Sequence, residues 1–256
     1  MASARGTFRG DKERRMGSPT ADPGMCVVAS EPLQDLDLGG ARLRERAELD
    51  AGPLTLVRCD LSSADLRGLD LHGWQFQDCN LDEARLNGAS LDCGQFHGGS
   101  ARNAAFLDCD LAGARFEMVD ATGAQFGNSL MSEAEFVGCR LMGANFEGTR
   151  GLGMLLQNCN LYAANLNGTA LGHAALTGLR LTEASLRGAD LRGSDLAGCV
   201  LLNADLFEAR LKDTDLRGAD LGPVDLDRLS AMSGAIINRT QAERILVELA
   251  NVVVTD

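Results

Sequence analysis

The chain has 256 residues, with 24 Lys and Arg against 36 Asp and Glu, and a formal net charge of −12. That balance opposes direct nucleic-acid binding, which needs a positive footprint. No run of apolar residues is long enough for a membrane span, and the N-terminus has no apolar signal-peptide core.

Eight cysteines without paired spacing fit a reducing compartment, so a cytoplasmic location is expected. Residues 1–30 mix charge, Gly and Pro without periodicity and read as a disordered N-terminal segment. Residues 31–55 carry a faint five-residue beat at Leu33, Leu38 and Leu43 that slips before Leu56. This predicts a degenerate N-terminal coil followed by a loop around 44–54.

From Leu61 to Leu226 every fifth residue forms one series of 34 positions, of which 23 are Leu and 7 are Phe. The exceptions are Ala101, Ala121, Met131 and Gly151. Two residues before each centre the side chain is small, except at Leu69, Trp74, Met154 and Leu179. A period of five fits neither the ~3.6 of a helix nor the ~2 of a strand. A chain that returns an apolar side chain to one axis this often turns a corner in each repeat, and four corners close a coil of about 20 residues. The centre and the small residue two before it point inward, and the other three positions face water. Glycine two after the centre suits a turn that needs positive φ. At ~4.8 Å per coil the predicted solenoid, residues 56–230, is a rod roughly 40 Å long.

These tandem repeats, as in Ala64-Asp65-Leu66-Arg67-Gly68, resemble the pentapeptide repeat family. The resemblance implies an all-β solenoid, a right-handed quadrilateral β-helix, to which the residues themselves add a short C-terminal α-helix in 231–256. Stacking at a 20-residue step puts Phe76, Phe96, Phe116 and Phe136 on one face and Phe106, Phe126 and Phe146 on the opposite one. In the resembled family Phe or Leu at the centre goes with turn type, so a change of coil shape is expected near residue 150. A bulge is expected where Gly151 replaces a core residue. Cys59, Cys79, Cys139, Cys159 and Cys199 fall in one inward column, with Cys109 opposite, and read as small reduced core residues.

Beyond Leu226 the beat stops. Thr240 to Glu243 reads as a capping box, with Ile245, Leu246, Leu249 and Val253 following at helical spacing. The simple role is a plug over the open edge of the last coil. The segment from Gly234 through Ala242 also resembles the terminal segment of the quinolone-resistance branch. That resemblance implies a homodimer, with Ile236, Ile237, Ile245, Leu246 and Leu249 as cap and dimerisation residues.

Catalysis, metal and cofactor are all unexpected. His72, His97 and His173 lie at outward positions on separate coils, apart from any partner at ligand spacing, and the acidic residues are solvated repeat positions. The remaining signal is charge, since residues 56–230 hold 24 acidic and 14 basic side chains, a net −10. Asp190, Asp195, Asp205, Asp215, Asp220 and Asp225 each precede a centre and crowd the C-terminal coils, with Asp60, Asp65 and Asp70 as a second group. Acid at this position solubilises any such rod. An acidic rod of duplex-like width also suits a basic partner. Members of the resistance branch occupy the basic DNA saddle of a type II topoisomerase, DNA gyrase, and protect it from its poisons. The resemblance therefore implies a DNA mimic, with the six C-terminal aspartates as its partner-binding set. The alternative is a generic protein-protein interaction scaffold using outward Met142, Tyr162 and Leu202 as an apolar patch. The chain shows no clear mid-rod loop insertion of the kind some resistance members use to grip the enzyme.

Overall fold

A computed structural model describes residues 32–37, 43–44, 52–253 and 255. The segment 1–30, read as disordered, and most of the expected loop at 44–54 lie outside the described residues. Strands β1 (Leu33–Gln34), β2 (Thr55–Val57), β3 (Gln75–Gln77), β4 (Gln95–His97), β5 (Arg115–Glu117), β6 (Glu135–Val137) and β7 (Leu155–Gln157) form one parallel sheet in sequence order. From β2 to β7 the register advances 20 residues per coil, pairing Leu56 with Phe76 and Phe136 with Leu156. The other three sides are held by single bridges with the same step, such as Asp60 to Asn80, Asp65 to Arg85 and Asp70 to Ser90. The side carrying β2–β7 is face A here, and the sides centred on Leu61, Leu66 and Leu71 are faces B, C and D. At the N-terminus Leu33 pairs with Leu56, 23 positions away rather than 20. The frame slip before Leu56 is thus three extra residues between paired positions, and Leu43, between them, is buried.

Two local devices build the corners, the first at every repeat and the second wherever Asp or Asn precedes the centre. The residue two after every centre, from Arg58 to Gly218, has positive φ. Glycine enters that region without a steric cost, and Asp78, Cys93, Asn158 and others are held there by the ladder. The second device explains the Asp or Asn just before a centre. Its carboxylate or amide oxygen accepts the N–H two residues on, as in Ser62 to Asp60 (3.0 Å), Glu147 to Asn145 (3.0 Å) and Arg217 to Asp215 (2.9 Å). This is the Asx turn, which pins the corner where the chain changes face.

Inside, the two phenylalanine columns form as expected. Phe76, Phe96, Phe116 and Phe136 stack along face A with centroids 4.3–4.7 Å apart. Phe106, Phe126 and Phe146 stack opposite, and the columns meet edge-to-face across the lumen, as at Phe106–Phe116, 5.8 Å and 87°. All six inward cysteines are buried thiols that donate to the main-chain carbonyl of a centre one coil below, as Cys199 does to Leu176 at 2.9 Å. Burial pushes Cys79 up to about 11 and Cys109 up to about 12, which leaves them inert as nucleophiles.

The stretch after Arg150 distorts without gaining a residue, because Phe136 still pairs with Leu156. Gly151 takes φ 111° and Gly153 φ 81°, and Leu152 is 76 % exposed. The expected bulge is therefore a local unwinding. Among the described residues no bridge joins Arg150 to Ala170 or Leu155 to Ala175, and the ladder resumes with Ala170–Asp190 and Ala175–Asp195. Beyond β7, face A carries single bridges instead of strands, so the coil shape does change there.

One boundary needs correction. Leu226 belongs to the five-residue series, yet it is 73 % exposed and opens helix α1 (Leu226–Ala231). The reason is Pro223, which falls two after centre Leu221 where the corner demands positive φ. Its ring fixes φ near −65°, so the coil cannot turn. Gly222 takes φ 62° instead, and Asp225 caps α1 by accepting from Arg228 N at 2.8 Å. The chain rejoins face A at Ile236, which bridges Asp215, and then enters helix α2 (Arg239–Ala250). The capping box of α2 is also displaced. Asn238 accepts from Gln241 N, and the Gln241 side chain accepts from Asn238 N, both at 2.9 Å. Thr240 is left inside the first turn, because Asn caps as well as Thr and here has the reciprocal partner three residues on.

Candidate interaction surface

The six C-terminal aspartates do not share a face. Asp195 and Asp215 stack on face A as ladder partners, Asp220 lies on face B, Asp205 on face C and Asp190 on face D. Asp225 is the N-cap of α1. The period that makes them regular also sends them around the rod, one corner per repeat.

Their charge is unevenly available. Asp190 pairs with Arg192 at 2.7 Å and Arg210 at 3.0 Å, Asp205 with Arg187 at 2.8 Å, and Asp215 with Arg217 at 2.6 Å. The Arg192 and Arg217 hydrogen bonds hold Asp190 and Asp215 down at about 2. Among the described residues Asp195 and Asp220 make no ion pair. Asp225 makes none either but spends its carboxylate on the α1 N-cap, so Asp195 and Asp220, on adjoining faces at the end of the rod, are the ladder acids of the set without an ion pair. The sequence signal for this division is the Asp-Leu-Arg triplet at 190–192 and 215–217, which brings the cation back over the corner. In the second group, Asp65 is likewise held by Arg67 at 2.6 Å, and Asp60 accepts from Asn80.

The end of the rod is closed by side chains that satisfy its last carbonyls. Gln241 Nε2 donates to Leu216 O at 2.8 Å and Ala219 O at 2.9 Å, while its Oε1 accepts from Gly218 N. Arg228 donates to Ala204 O and Leu201 O. Burial lowers the Arg228 pKa. Of the five expected cap residues, Ile245 is buried in its own chain, and Ile237 and Leu249 are half-buried against the core. Ile236 and Leu246 are 46 % and 50 % exposed, beside exposed Val247 and Val252.

Two features escape the linear reading. A groove of about 910 Å³ runs between α1 and the corners beneath it, lined around Phe207 by cations such as Arg187, Arg210 and Lys212 and by acids such as Asp205, Glu208 and Asp227. Arg187 sits 4.5 Å over the exposed Phe207 ring, and the 20-residue step between them was the available signal. The histidines also need correction, because outward residues at the same corner of successive coils stack. His72 Nδ1 lies 2.6 Å from Asp92 Oδ2, and His97 Nδ1 lies 3.7 Å from Glu117 Oε2. Met142, Tyr162 and Leu202 are exposed at the same outward position of face B, with Thr182 between the last two, and Tyr162 Oη donates to Glu183 at 2.7 Å.

The regular five-residue solenoid defines the class. Models of pentapeptide repeats match residues 109–148, 155–193 and 184–222, and a model of the pentapeptide repeat region matches 55–126. The chain belongs to the pentapeptide repeat family. No curated protein sequence matches it significantly. Among solved structures it is similar to two trypsin-treated variant forms of QnrB1, described as a plasmid-mediated fluoroquinolone resistance protein. One is 26 % identical over 76 % of this chain and 94 % of that one, with TM-score 0.51. The other is 26 % identical over 80 % and 98 %, with TM-score 0.54. Among the described residues no helix is long and apolar enough to cross a membrane.

Proposed function

We propose that this protein is a non-enzymatic DNA mimic that binds a type II topoisomerase, DNA gyrase, and protects it from or modulates its poisons, giving antibiotic resistance or self-immunity. The observation that carries the reading is the likeness to nearly the whole length of a fluoroquinolone resistance protein. The net charge of −12 supports it. The docking surface is the C-terminal end of faces A and B, where Asp195 and Asp220 make no ion pair among the described residues and Asp215 stacks beside Asp195. Asp190 and Asp205 set the corners and buttress neighbouring arginines, and Asp225 caps α1. The protein acts in the cytoplasm as a homodimer. Ile245, Ile237 and Leu249 hold the plug, and exposed Ile236 and Leu246 meet the second copy. A dimer joined there places Asp195 and Asp220 near its centre, opposite a basic saddle.

The test is supercoiling by purified gyrase with this protein added, with and without a fluoroquinolone, at two salt concentrations. Salt-sensitive inhibition, or restored supercoiling in the presence of drug, supports the reading. No effect at micromolar protein would remove it. A second reading, a generic interaction scaffold, rests on the exposed Met142, Tyr162 and Leu202 column, and binding through it should be nearly insensitive to salt.

A further inference from the structure

One cluster far from the acidic end combines nitrogen, oxygen and sulfur donors. His72 and Asp92 hold the same corner position on successive coils, and Cys93 follows Asp92 directly. His72 Nδ1 is 2.6 Å from Asp92 Oδ2, and one donor atom from each of the three residues lies within 4.8 Å of the other two. Among the described residues no other group of three His, Cys, Asp or Glu side chains comes this close.

The backbone beneath the cluster is fixed. Gly73 N donates to Asp92 O at 2.9 Å, Cys93 N to Ala112 O at 2.8 Å, and His72 N to Asp70 Oδ1 at 3.2 Å. The coil neighbours of Cys93 in its column are Gly73 and Gly113. A Cβ built on Gly113 would lie 3.6 Å from the Cys93 sulfur, so the real glycine leaves the thiol room to move.

We propose that His72, Asp92 and Cys93 form a site for a divalent transition-metal ion, with zinc the best chemical match. An imidazole, a carboxylate and a thiolate are a borderline-soft set that zinc accepts and that magnesium and calcium do not favour. Zinc bonds of ~2.0–2.3 Å in tetrahedral geometry put donor atoms about 3.3–3.5 Å apart. The His72–Asp92 pair therefore opens by under about 1 Å, and the sulfur closes inward by a side-chain rotation. The ion replaces the hydrogen bond between Nδ1 and Oδ2, and the thiol proton leaves to solvent as the thiolate binds. Half-exposed His72 leaves the fourth position to water. Such an ion clamps two successive coils on one corner.

The test uses cobalt(II) as a spectroscopic stand-in, titrated into the full chain while the near-ultraviolet thiolate-to-cobalt band is followed. The expected result is a saturable band at one equivalent, bleached by zinc and absent in Cys93→Ala. His72→Ala should weaken binding at least tenfold with unchanged circular dichroism. Zinc should also protect Cys93 from alkylation in the parent protein. Absence of the band in the parent, its survival in Cys93→Ala, or unchanged affinity in His72→Ala would each overturn the three-residue site.

Discussion

The rod on either side of Gly151 solves one packing problem in two ways. Between Leu56 and Leu156 the lumen is filled by two stacked ring columns, and face A pairs as three-residue strands. From Leu161 to Leu221 every centre is Leu, and single bridges hold all four faces. Yet the corners are alike in both halves, with the same positive-φ residue and the same Asx acceptor. The corner thus builds the coil, and the centre tunes how the lumen is filled. Strand length follows the column and not the single ring, because β2 and β7 are strands around Leu56 and Leu156.

The largest effect should come from breaking the leucine half outright. Leu191→Asp puts a carboxylate into a dry lumen at a cost of several kcal/mol, about what burying an unpaired polar group demands. Amide exchange should show protection lost across the C-terminal coils and kept between Phe76 and Phe146. Collapse of both halves together would show that the break after Arg150 does not separate two cooperative units.

The next comparison sets ring against leucine. Phe116→Ala removes a side chain that stacks on Phe96 and Phe136 and meets Phe106 and Phe126 edge-on. It should cost about 3–5 kcal/mol, and Leu196→Ala nearer 2–3 kcal/mol, since the leucine series begins lower. Thermal melts read both. Equal losses would mean the stacking adds nothing beyond buried area.

Smaller still is the cap. Gln241→Ala strips the donors from Leu216 O and Ala219 O and should cost about 1–3 kcal/mol. The loss should be local, seen as faster exchange at Gly218 and Ala219 with the aromatic half unchanged. A uniform loss of protection would contradict a cap that acts only at the end.

Much of this was legible because a strict period converts sequence position into spatial position. The ring columns, the thiol column and the small inward residues all follow from a step of 20. What the period hides is chemistry between coils and at the ends. Leu226 keeps the beat, but Pro223 cannot take the φ the corner needs, so a backbone constraint overrides the apolar pattern. His72 looks isolated along the chain and is not, since Asp92 lies one coil above it. The aspartates read as surface charge because their hydrogen bonds run two residues forward, where a count of charges cannot see them.

The smallest effect on stability, and the sharpest on binding, belongs to those aspartates. Changing Asp205, Asp215 and Asp220 to Asn keeps an acceptor for each Asx turn, so the thermal midpoint should barely move. Affinity for a basic partner should fall, most of it through Asp220, because Arg187 and Arg217 already offset the other two. Asp220→Asn alone should therefore weaken binding more than Asp215→Asn, and the reverse order would sink the docking surface proposed on faces A and B. The pH profile sharpens the contrast between paired and unpaired acid. Asp190 and Asp215 sit at about 2, below the ~3.9 of an unfolded chain. Their contribution is complete above about pH 4 and is lost as the pH falls toward 2. An acid titration followed by circular dichroism should accordingly show the leucine half keeping its fold through pH 4, and replacing Arg192 and Arg217 by Gln should move its acid transition to higher pH.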